Sequence, residues 1–351
     1  MSEHNIANNA GLFTADIKTA GPWICRDDSG NYWTIFQDVD NNIAICKSTD
    51  FGSTWTLIKT LTTADFTSLT MPIDTFSIAQ LIGQNKVYIF LAKRGTTNYC
   101  WGWIINTLTD VGIIDLDNVT IVSMQNMPVG KIEMRWDTYN NKLYIGYGDI
   151  QDGIGWDIFS YSHIVLNGTL GGPANTQIGS NQYKFGSFTI DGNGNKFFLK
   201  YSISSSFTSI AKDTGTPVKA TTYSNLTYLF LNVICDYDNK IVFGFVIGTV
   251  MHLYRANNGL TTFEINDAQK DLGSGHTPTI SFLTVDGNGD IYWVCTDSFD
   301  NEAYYVKYTI GTSSWGSVTK ISSDNDGKLI CPELRSPLAD NKILVSYQAT
   351  A

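Results

Sequence analysis

The sequence is short of positive charge. Among its 351 residues, 23 are lysine or arginine and 33 are aspartate or glutamate, which gives a formal net charge of −10 at pH 7. Proteins that bind nucleic acid or anionic membranes need basic side chains to neutralise phosphate groups. We therefore expect no nucleic acid among the partners of this chain. Its 43% of hydrophobic residues exclude a disordered chain, because they can form a core.

Long hydrophobic runs are also missing. The longest apolar stretch, residues 240–251, contains two glycines and is too short to span a bilayer. The first ten residues have neither the basic nor the hydrophobic region of a secretory signal peptide. We therefore expect no membrane insertion, and a location in a virion or in the cytoplasm rather than classical secretion.

The six cysteines lack the paired spacing of a metal site or a disulfide framework. Each stands alone inside a hydrophobic run. We expect buried free thiols, which behave as small apolar side chains, with disulfide bonds or metal sites as the alternatives. The cysteines are Cys25, Cys46, Cys100, Cys235, Cys295 and Cys331.

A short polar turn between two hydrophobic runs recurs along the chain. The first, at residues 25–33, reads Cys-Arg-Asp-Asp-Ser-Gly-Asn-Tyr-Trp, and six similar segments follow. Asn or Gly near each apex permits the positive φ of a tight hairpin. Near-constant spacing of this kind indicates a repeat architecture. The apices lie 45 to 55 residues apart, at Gly30, Asn85, Asn140, Gly194, Asn239, Gly289 and Asn341.

The residues that flank these turns are typical of β-strands. β-branched and aromatic residues dominate, as at 32–36, 142–147 and 291–295. Their hydrophobicity alternates only in part, which is expected of strands packed between neighbouring sheets. We therefore predict an all-β fold, a seven-bladed β-propeller of four-stranded antiparallel blades in which residues 1–351 form a single domain.

The two ends of the chain are predicted to share one blade. Only one strand follows the last turn, so the blade begun at residues 328–348 lacks two strands. We predict that N-terminal strands within residues 6–17 complete it, so that N- and C-terminal strands close the last blade. Deletion of residues 1–17 should then lower stability and solubility.

One segment carries a family motif. Residues 48–55 read Ser-Thr-Asp-Phe-Gly-Ser-Thr-Trp and match the S-x-D-x-G-x-x-W pattern in full. The chain thus resembles the Asp-box, or BNR-repeat, β-propellers, which include sialidases, other glycosidases and lectin-like binders. The resemblance implies a hairpin between the third and fourth strands of a blade, and a structural role for Ser48, Asp50, Gly52 and Trp55.

The sialidase-like fold allows a test of catalytic function. In that family three arginines hold the substrate carboxylate, a tyrosine–glutamate pair is the nucleophile, and an aspartate is the acid. Here Arg26 is followed by Asp-Asp instead of the family's Ile-Pro, and Arg26, Arg135 and Arg335 precede short turns, away from the usual site. Ion pairs such as Arg26 with Asp27 are the alternative role. We therefore assign no catalytic residue.

Two turns also resemble the start of a calcium-binding loop. Residues 286–290 and 191–195 place oxygen-bearing side chains at alternate positions, of which Asp286, Asn288 and Asp290 are the candidate ligands. The glycine usual at the sixth position is absent, and a plain hairpin turn explains the same residues. We expect no cofactor, with calcium as the alternative. The four histidines show no metal-ligand spacing.

The longer connections of each blade indicate a ligand-binding face. The loops between second and third strands and the crossings between blades lie at the same end of a propeller, and variable loops on a rigid frame commonly bind ligands. An aromatic ring can stack on a sugar, which makes Trp156 the first candidate. The predicted binding residues are Trp156, Asp149, Asp152, Asp38, Asp40, Arg94, Asp297, Asp300 and His276.

Three functions remain open from the sequence. The first is a non-catalytic recognition propeller that binds a carbohydrate or a cell-surface receptor, as a component of a phage tail or virion with other virion proteins as partners. The second is a glycoside hydrolase with a divergent sialidase-like site. The third is a structural scaffold protein of a larger assembly. A glycan array combined with chromogenic glycosides would separate them.

Overall fold

The chain is built from β-strands. The computed structural model describes residues 23–38, 40–73, 75–93, 99–120, 132–150, 157–166, 169–178, 183–202, 207–213, 218–222, 232–297, 299–300, 302–321, 329–332, 343 and 345–348. In this part of the chain the one helical element is a 3-10 turn at Ile310–Thr312, and no helix is long and apolar enough to cross a membrane. The residues form two compact units, Ser2–Asn181 and Gln182–Ala351.

The unit Ser2–Asn181 contains three four-stranded antiparallel sheets, and strands pair in chain order within each. The first sheet consists of β1 (Ile24–Arg26), β2 (Tyr32–Gln37), β3 (Ile43–Ser48) and β4 (Thr56–Leu61). The second consists of β5 (Thr75–Leu81), β6 (Lys86–Lys93), β7 (Tyr99–Asn106) and β8 (Val111–Thr120). The third consists of β9 (Ile132–Asp137), β10 (Lys142–Ile150), β11 (Asp157–Val165) and β12 (Thr169–Ile178).

The unit Gln182–Ala351 contains four sheets in its described residues. The first two are four-stranded, with β13 (Tyr183–Ile190), β14 (Lys196–Ser202), β15 (Phe207–Lys212) and β16 (Lys219–Thr222), then β17 (Asn232–Cys235), β18 (Ile241–Ile247), β19 (Val250–Ala256) and β20 (Phe263–Asp271). The five-stranded sheet has β21 (Pro278–Val285), β22 (Ile291–Asp297), β23 (Ala303–Thr309), β24 (Ser314–Trp315) and β25 (Thr319–Lys320). The two-stranded sheet has β26 (Leu329–Pro332) and β27 (Val345–Gln348).

The four-strand prediction therefore needs one correction. In the five-stranded sheet, two short strands, β24 and β25, both pair with β23 in place of one continuous outer strand. The interruption falls at Gly316, whose backbone N–H donates to Lys307 O at 2.8 Å. The segment 6–17, predicted to complete the last blade, lies outside the described residues.

Burial separates inner from outer strands. In β6 and β22 the interior residues are buried on both faces, whereas the outer strands β4 and β20 are largely exposed. Apolar side chains buried between successive sheets supply the main stabilisation of each unit. The hydrophobicity of these strands alternates only in part along the sequence because both of their faces are covered by neighbouring sheets.

Four of the predicted turns share one hydrogen-bond pattern built on a buried aspartate. In the first, an Asp27 carboxylate oxygen accepts hydrogen bonds from the backbone N–H groups of Ser29 and Asn31, both at 2.9 Å. The residue three positions after the aspartate has a positive φ, as the apex residues predicted. The four turns are those of Asp27, Asp191, Asp236 and Asp286, with Gly30, Gly194, Asn239 and Gly289 at the positive φ.

Two turns depart from that pattern. After Asp137 the positive φ falls on Asn141, one residue beyond the predicted apex, because Asp137 pairs with Lys142, five positions on, whereas Asp27 pairs with Asn31, four positions on. Between β5 and β6, Leu81 stands where the aspartate would be. Asp28 of the preceding sheet accepts from the N–H groups of Gly83 at 2.9 Å and Asn85 at 2.7 Å instead, and thereby joins two neighbouring sheets.

The motif at residues 48–55 forms the turn between β3 and β4. Ser48 Oγ accepts from the backbone N–H of Gly52 at 2.8 Å, and Gly52 has a φ of +84°. The Asp50 carboxylate accepts from the Thr54 hydroxyl at 2.7 Å and from its N–H at 2.8 Å, which lowers the Asp50 pKa to about 2. Trp55 Nε1 donates to Gly52 O at 3.0 Å. Each motif residue therefore holds the turn.

Five cysteines are free thiols, as predicted. Cys46, Cys100, Cys235 and Cys295 are buried, and Cys25 is half-buried. Burial raises the pKa of the Cys46 thiol to about 11 and that of Cys100 to about 12. Thiols with such raised pKa values are poor nucleophiles and act as apolar packing groups.

Candidate ligand-binding site

Three of the predicted binding residues meet at one end of the five-stranded sheet. His276 precedes β21, Asp297 ends β22, and Asp300 lies in the loop that leads to β23. The antiparallel register places Pro278 opposite Asp297, so the segment before β21 and the β22–β23 loop lie at the same end of the sheet. This is the loop end that the sequence predicted to bind ligands.

Asp297 holds these two segments together. Its buried carboxylate accepts from the backbone N–H of Thr277 at 2.8 Å and of Phe299 at 2.9 Å. His276 Nδ1 lies 2.6 Å from Asp297 Oδ2. Because a carboxylate only accepts, Nδ1 carries the hydrogen of this contact, and in the neutral tautomer Nε2 is an acceptor. Asp297 is therefore a positioning residue, and His276 is the group it presents.

Tyr304 stands at the centre of the remaining polar groups. Its hydroxyl contacts Asp300 Oδ2 and lies 2.7 Å from Glu302 Oε2. Its ring packs edge-on against His276, with 5.0 Å between ring centroids. Desolvation, followed by the hydrogen bonds to Asp300 and Glu302, raises the Tyr304 pKa, so the phenol keeps its proton.

One hydroxyl proton therefore faces two carboxylates. A phenol can donate to only one acceptor at a time. Lys320, from the outer strand β25, forms an ion pair with the other oxygen of Glu302. Among the described residues, Tyr304 is the only donor that contacts Asp300 Oδ2. The arrangement thus leaves acceptor capacity that a ligand hydroxyl group can fill.

An exposed aromatic ring lies beside this cluster. Phe299, in the same loop, is 71% exposed, while its backbone N–H is fixed by Asp297. His276 and Lys320 keep 24% and 37% of their side chains exposed. An exposed apolar ring on a backbone held by a hydrogen bond, next to accessible polar groups, is a composition that suits the C–H and hydroxyl groups of a sugar. We call Phe299, His276, Asp300, Glu302, Tyr304 and Lys320 the loop cluster.

The six other predicted binding residues belong to the unit Ser2–Asn181. Asp38 lies at the start of the turn after β2, where its Oδ1 accepts hydrogen bonds from the backbone N–H groups of Asp40 at 3.0 Å and Asn42 at 2.8 Å. Asp40 is exposed. Asp149 lies in β10, near its end. Trp156, Asp152 and Arg94 lie outside the described residues. Ligand contacts for all six remain predictions.

Sequence reasoning missed four of the six residues of the loop cluster. Glu302, Tyr304 and Lys320 were not selected, and neither was Phe299, although Asp297 and Asp300 of the same connection were. The signal for Glu302 and Tyr304 was their spacing of two residues from Asp300 to the start of β23, since residues two apart on an extended chain face the same side. Lys320 gave no local signal, since it reaches Tyr304 only through the pairing of β25 with β23.

Two of the arginines considered for a sialidase site are described, and both belong to the unit Ser2–Asn181. Arg26 lies over the ring of Tyr32, with 4.3 Å from its guanidinium carbon to the ring centroid. Arg135 pairs with Glu133 at 3.2 Å. Both side chains are buried next to turns of the first and third sheets. Arg335 lies outside the described residues.

The calcium candidates are occupied by protein donors. Asp286 Oδ1 accepts from the N–H groups of Asn288 and Asp290, and Lys307 Nζ lies 2.7 Å from Asp290 Oδ2. No group of three or more His, Cys, Asp or Glu side chains within the described ranges has the geometry to hold a metal ion. Calcium binding here remains a prediction, and the turn itself needs no ion.

Comparison with known proteins identifies the fold. No protein-family model and no curated protein sequence matches the chain. A fungal lectin from Aleuria aurantia, described as a six-bladed β-propeller with a novel fucose recognition mode, has 13% identity and a TM-score of 0.56, covering 85% of this chain and 94% of the lectin. A protein from Lactobacillus plantarum has 10% identity and a TM-score of 0.55, covering 84% of this chain and 81% of that protein.

An enzyme shares the same architecture. The α-L-arabinofuranosidase Arb93A of Fusarium graminearum has 10% identity and a TM-score of 0.51, covering 88% of this chain and 99% of the enzyme. At such identities the similarity establishes the fold and leaves function open. The chain is an all-β propeller of antiparallel sheets.

Proposed function

We propose that this chain is a non-catalytic glycan-binding propeller that uses the loop cluster. The observation that carries the proposal is the Tyr304 hydroxyl, whose single proton is shared by Asp300 and Glu302 beside the exposed ring of Phe299. Carboxylates with free acceptor capacity bind sugar hydroxyls, and an aromatic ring stacks on the C–H face of a pyranose. Lectins among the proteins of similar fold support this reading.

The charges of the loop cluster favour a neutral glycan. Asp297, Asp300 and Glu302 bring three carboxylates to one loop, and Lys320 already pairs with Glu302. An anionic sugar such as a sialic acid would meet like charge, which costs binding free energy at short range. We therefore expect fucosides and other neutral glycans to bind, and sialylated glycans to bind at least about tenfold more weakly.

The geometry also favours binding over hydrolysis. Most glycosidases place an acid and a second carboxylate on opposite sides of the scissile bond, about 5 to 9.5 Å apart. Here Asp300 and Glu302 both contact the same Tyr304 oxygen, so their contacting oxygens lie close together, and the raised pKa of Tyr304 keeps this hydroxyl protonated and a poor nucleophile. Turnover of chromogenic glycosides or of arabinan would contradict the non-catalytic proposal.

The test is a glycan array followed by titration of the best ligand and of methyl α-L-fucoside. Phe299→Ala should weaken binding about tenfold, because it removes the stacking surface without creating a core cavity. Phe51→Ala is the matched control, since Phe51 is 64% exposed in a turn of the other unit. Tyr304→Phe should also weaken binding. Unchanged affinity in both loop-cluster variants would contradict the proposed site.

Two structural features of the chain, its last blade and the motif at residues 48–55, are also proposed. We infer a seventh blade, formed by β26 and β27 and completed by residues 6–17, and an Asp-box identity for residues 48–55. The pairing of β26 with β27 and the hydrogen bonds of the Ser48–Trp55 turn support them. A chain lacking residues 1–17 should melt at a lower temperature than the full chain, and equal melting would contradict the closure. The virion location and virion partners remain predictions from composition.

A further inference from the structure

The unit Ser2–Asn181 contains a cavity far in sequence from the loop cluster. It lies between the outer strand β4 of the first sheet and strands β7 and β8 of the second, and has a volume of about 240 Å³. Drug-sized ligands occupy roughly 300–1,000 Å³. The cavity therefore suits one small ring-shaped ligand. Its lining residues are Ile58, Lys59, Trp103, Ile105, Asp110 and Gly112.

An indole ring forms one wall of the cavity. Trp103 is held from one side by Phe66, at 5.7 Å between ring centroids and nearly perpendicular. A Cβ atom at Gly112 would come within 2.0 Å of Trp103 Nε1, so this ring position requires glycine at 112. The absence of a side chain at Gly112 thus lets the indole lie flat against β8.

The same indole has an unmet hydrogen-bonding group. Trp103 Nε1 is buried and finds no acceptor within the described part of the chain. A buried donor without an acceptor costs roughly 1–3 kcal/mol. This nitrogen is covered by the protein itself, so a ligand in the cavity meets the rest of the indole ring, and its polar contacts come from Lys59 and Asp110.

The charges at the cavity balance. Lys59 Nζ lies 5.9 Å from the Trp103 ring centroid and pairs with Asp65 at 2.6 Å. Asp110 Oδ1 pairs with Lys47 Nζ at 2.6 Å. Each charge already has a counter-charge, so an ionic ligand gains little here. Ile58 and Ile105 make the remaining lining apolar. These features select a neutral ring with both C–H and hydroxyl groups.

We propose that this cavity is a second ligand site, which binds a single neutral hexose or deoxyhexose residue stacked on Trp103. Lys59 donates a hydrogen bond to one of its hydroxyl groups, and Asp110 accepts a hydrogen bond from another. Ile58 and Ile105 contact its C–H face. The site goes beyond the loop cluster and does not depend on it, because its residues belong to a different unit.

The experiment follows the Trp103 indole N–H resonance in the full chain while methyl α-L-fucoside, methyl β-D-galactoside and methyl α-sialoside are added separately. Trp103→Phe assigns the resonance. We expect a saturable shift with at least one neutral glycoside, with a dissociation constant in the millimolar range, and none with the sialoside. No saturable shift with either neutral glycoside would overturn the proposal.

A matched pair of variants locates the binding. Ile58→Trp fills the cavity and should weaken the neutral glycoside at least tenfold. Leu57→Trp is the control, because Leu57 is the next residue of β4, is 58% exposed and does not line the cavity. Asp110→Asn is a gentler variant that should also weaken binding. Equal affinity of the Ile58→Trp and Leu57→Trp chains would overturn the proposal.

One further variant separates this site from the loop cluster. Phe299→Ala should leave the Trp103 shift unchanged. If it abolishes all glycan binding while Trp103 never responds, the cavity proposal fails and the loop cluster stands. If Trp103 responds while Phe299→Ala changes no affinity, the cavity stands and the loop cluster proposal fails.

Discussion

The two ends of the sheet β21–β25 use carboxylates in opposite ways. At the turn end, Asp286 is buried and accepts from two backbone N–H groups of its own turn. At the loop end, Asp300 and Glu302 gather around the rotatable hydroxyl of Tyr304. A carboxylate that accepts hydrogen bonds from fixed backbone N–H groups stabilises a turn. Two carboxylates that share one rotatable hydroxyl donor can instead accept a hydrogen bond from a ligand. The same residue type is structural at one end and available for binding at the other.

The largest expected effect is at the turn end. Asp286→Ala should lower the free energy of unfolding by about 2 to 3 kcal/mol, because two backbone N–H groups lose their acceptor in a buried place. Glycan affinity at the loop cluster should not change. Urea unfolding and glycan titration of one preparation measure both quantities. Asp286→Asn, which keeps one acceptor oxygen, should lose less stability. If Asp286→Ala lost glycan affinity but kept the stability of the wild-type chain, the contrast between the two ends of the sheet would be wrong.

A second turn tests whether a carboxylate can serve a neighbouring sheet. Asp28→Ala should cost about 1 kcal/mol, since the N–H groups of Gly83 and Asn85 are exposed and water can replace the lost acceptor. Thermal unfolding measures the change. In a double-mutant cycle with Gln80→Ala, coupling is expected because Gln80 Nε2 also donates to Asp28, at 2.9 Å. Additive effects would show that the Gln80–Asp28 contact contributes nothing measurable.

The turns could be predicted from the sequence alone, whereas the binding end could not. The turns depend on contacts between residues close in sequence, and the binding end depends on contacts between distant ones. Asp27 and Asn31 define a turn within five residues, so the repeat was visible without coordinates. The role of Asp28 was hidden, because its partners Gly83 and Asn85 lie in another sheet. The motif at 48–55 was recognisable for the same local reason.

The binding end depends on pairing that no short pattern records. His276 and Asp297 were both selected as loop residues, but their contact follows from the register of β21 with β22. Tyr304 looks like an ordinary strand aromatic in the sequence. Its role is visible only in the structure, where Lys320 and Glu302 form an ion pair beside it. Lys320 is brought there by β25, the strand that follows the break in the outer strand at Gly316.

The smallest expected effect concerns Asp50, a turn carboxylate on the surface. Hydrogen bonds from Thr54, first from its hydroxyl and then from its N–H, lower the Asp50 pKa to about 2, below the value of about 3.9 in an unfolded chain. A lowered folded-state pKa stabilises the fold above the unfolded value and loses that contribution as the pH falls towards 2. Asp50→Asn cannot titrate, so the stability difference between the wild-type chain and this variant should shrink between about pH 4 and pH 2. Urea unfolding at several pH values measures this, with Thr54→Val as the companion variant. A difference that stays constant across this range would mean that the Asp50 charge does not stabilise the turn, and it would leave the contacts of Ser48 and Trp55 with Gly52 responsible for the hairpin.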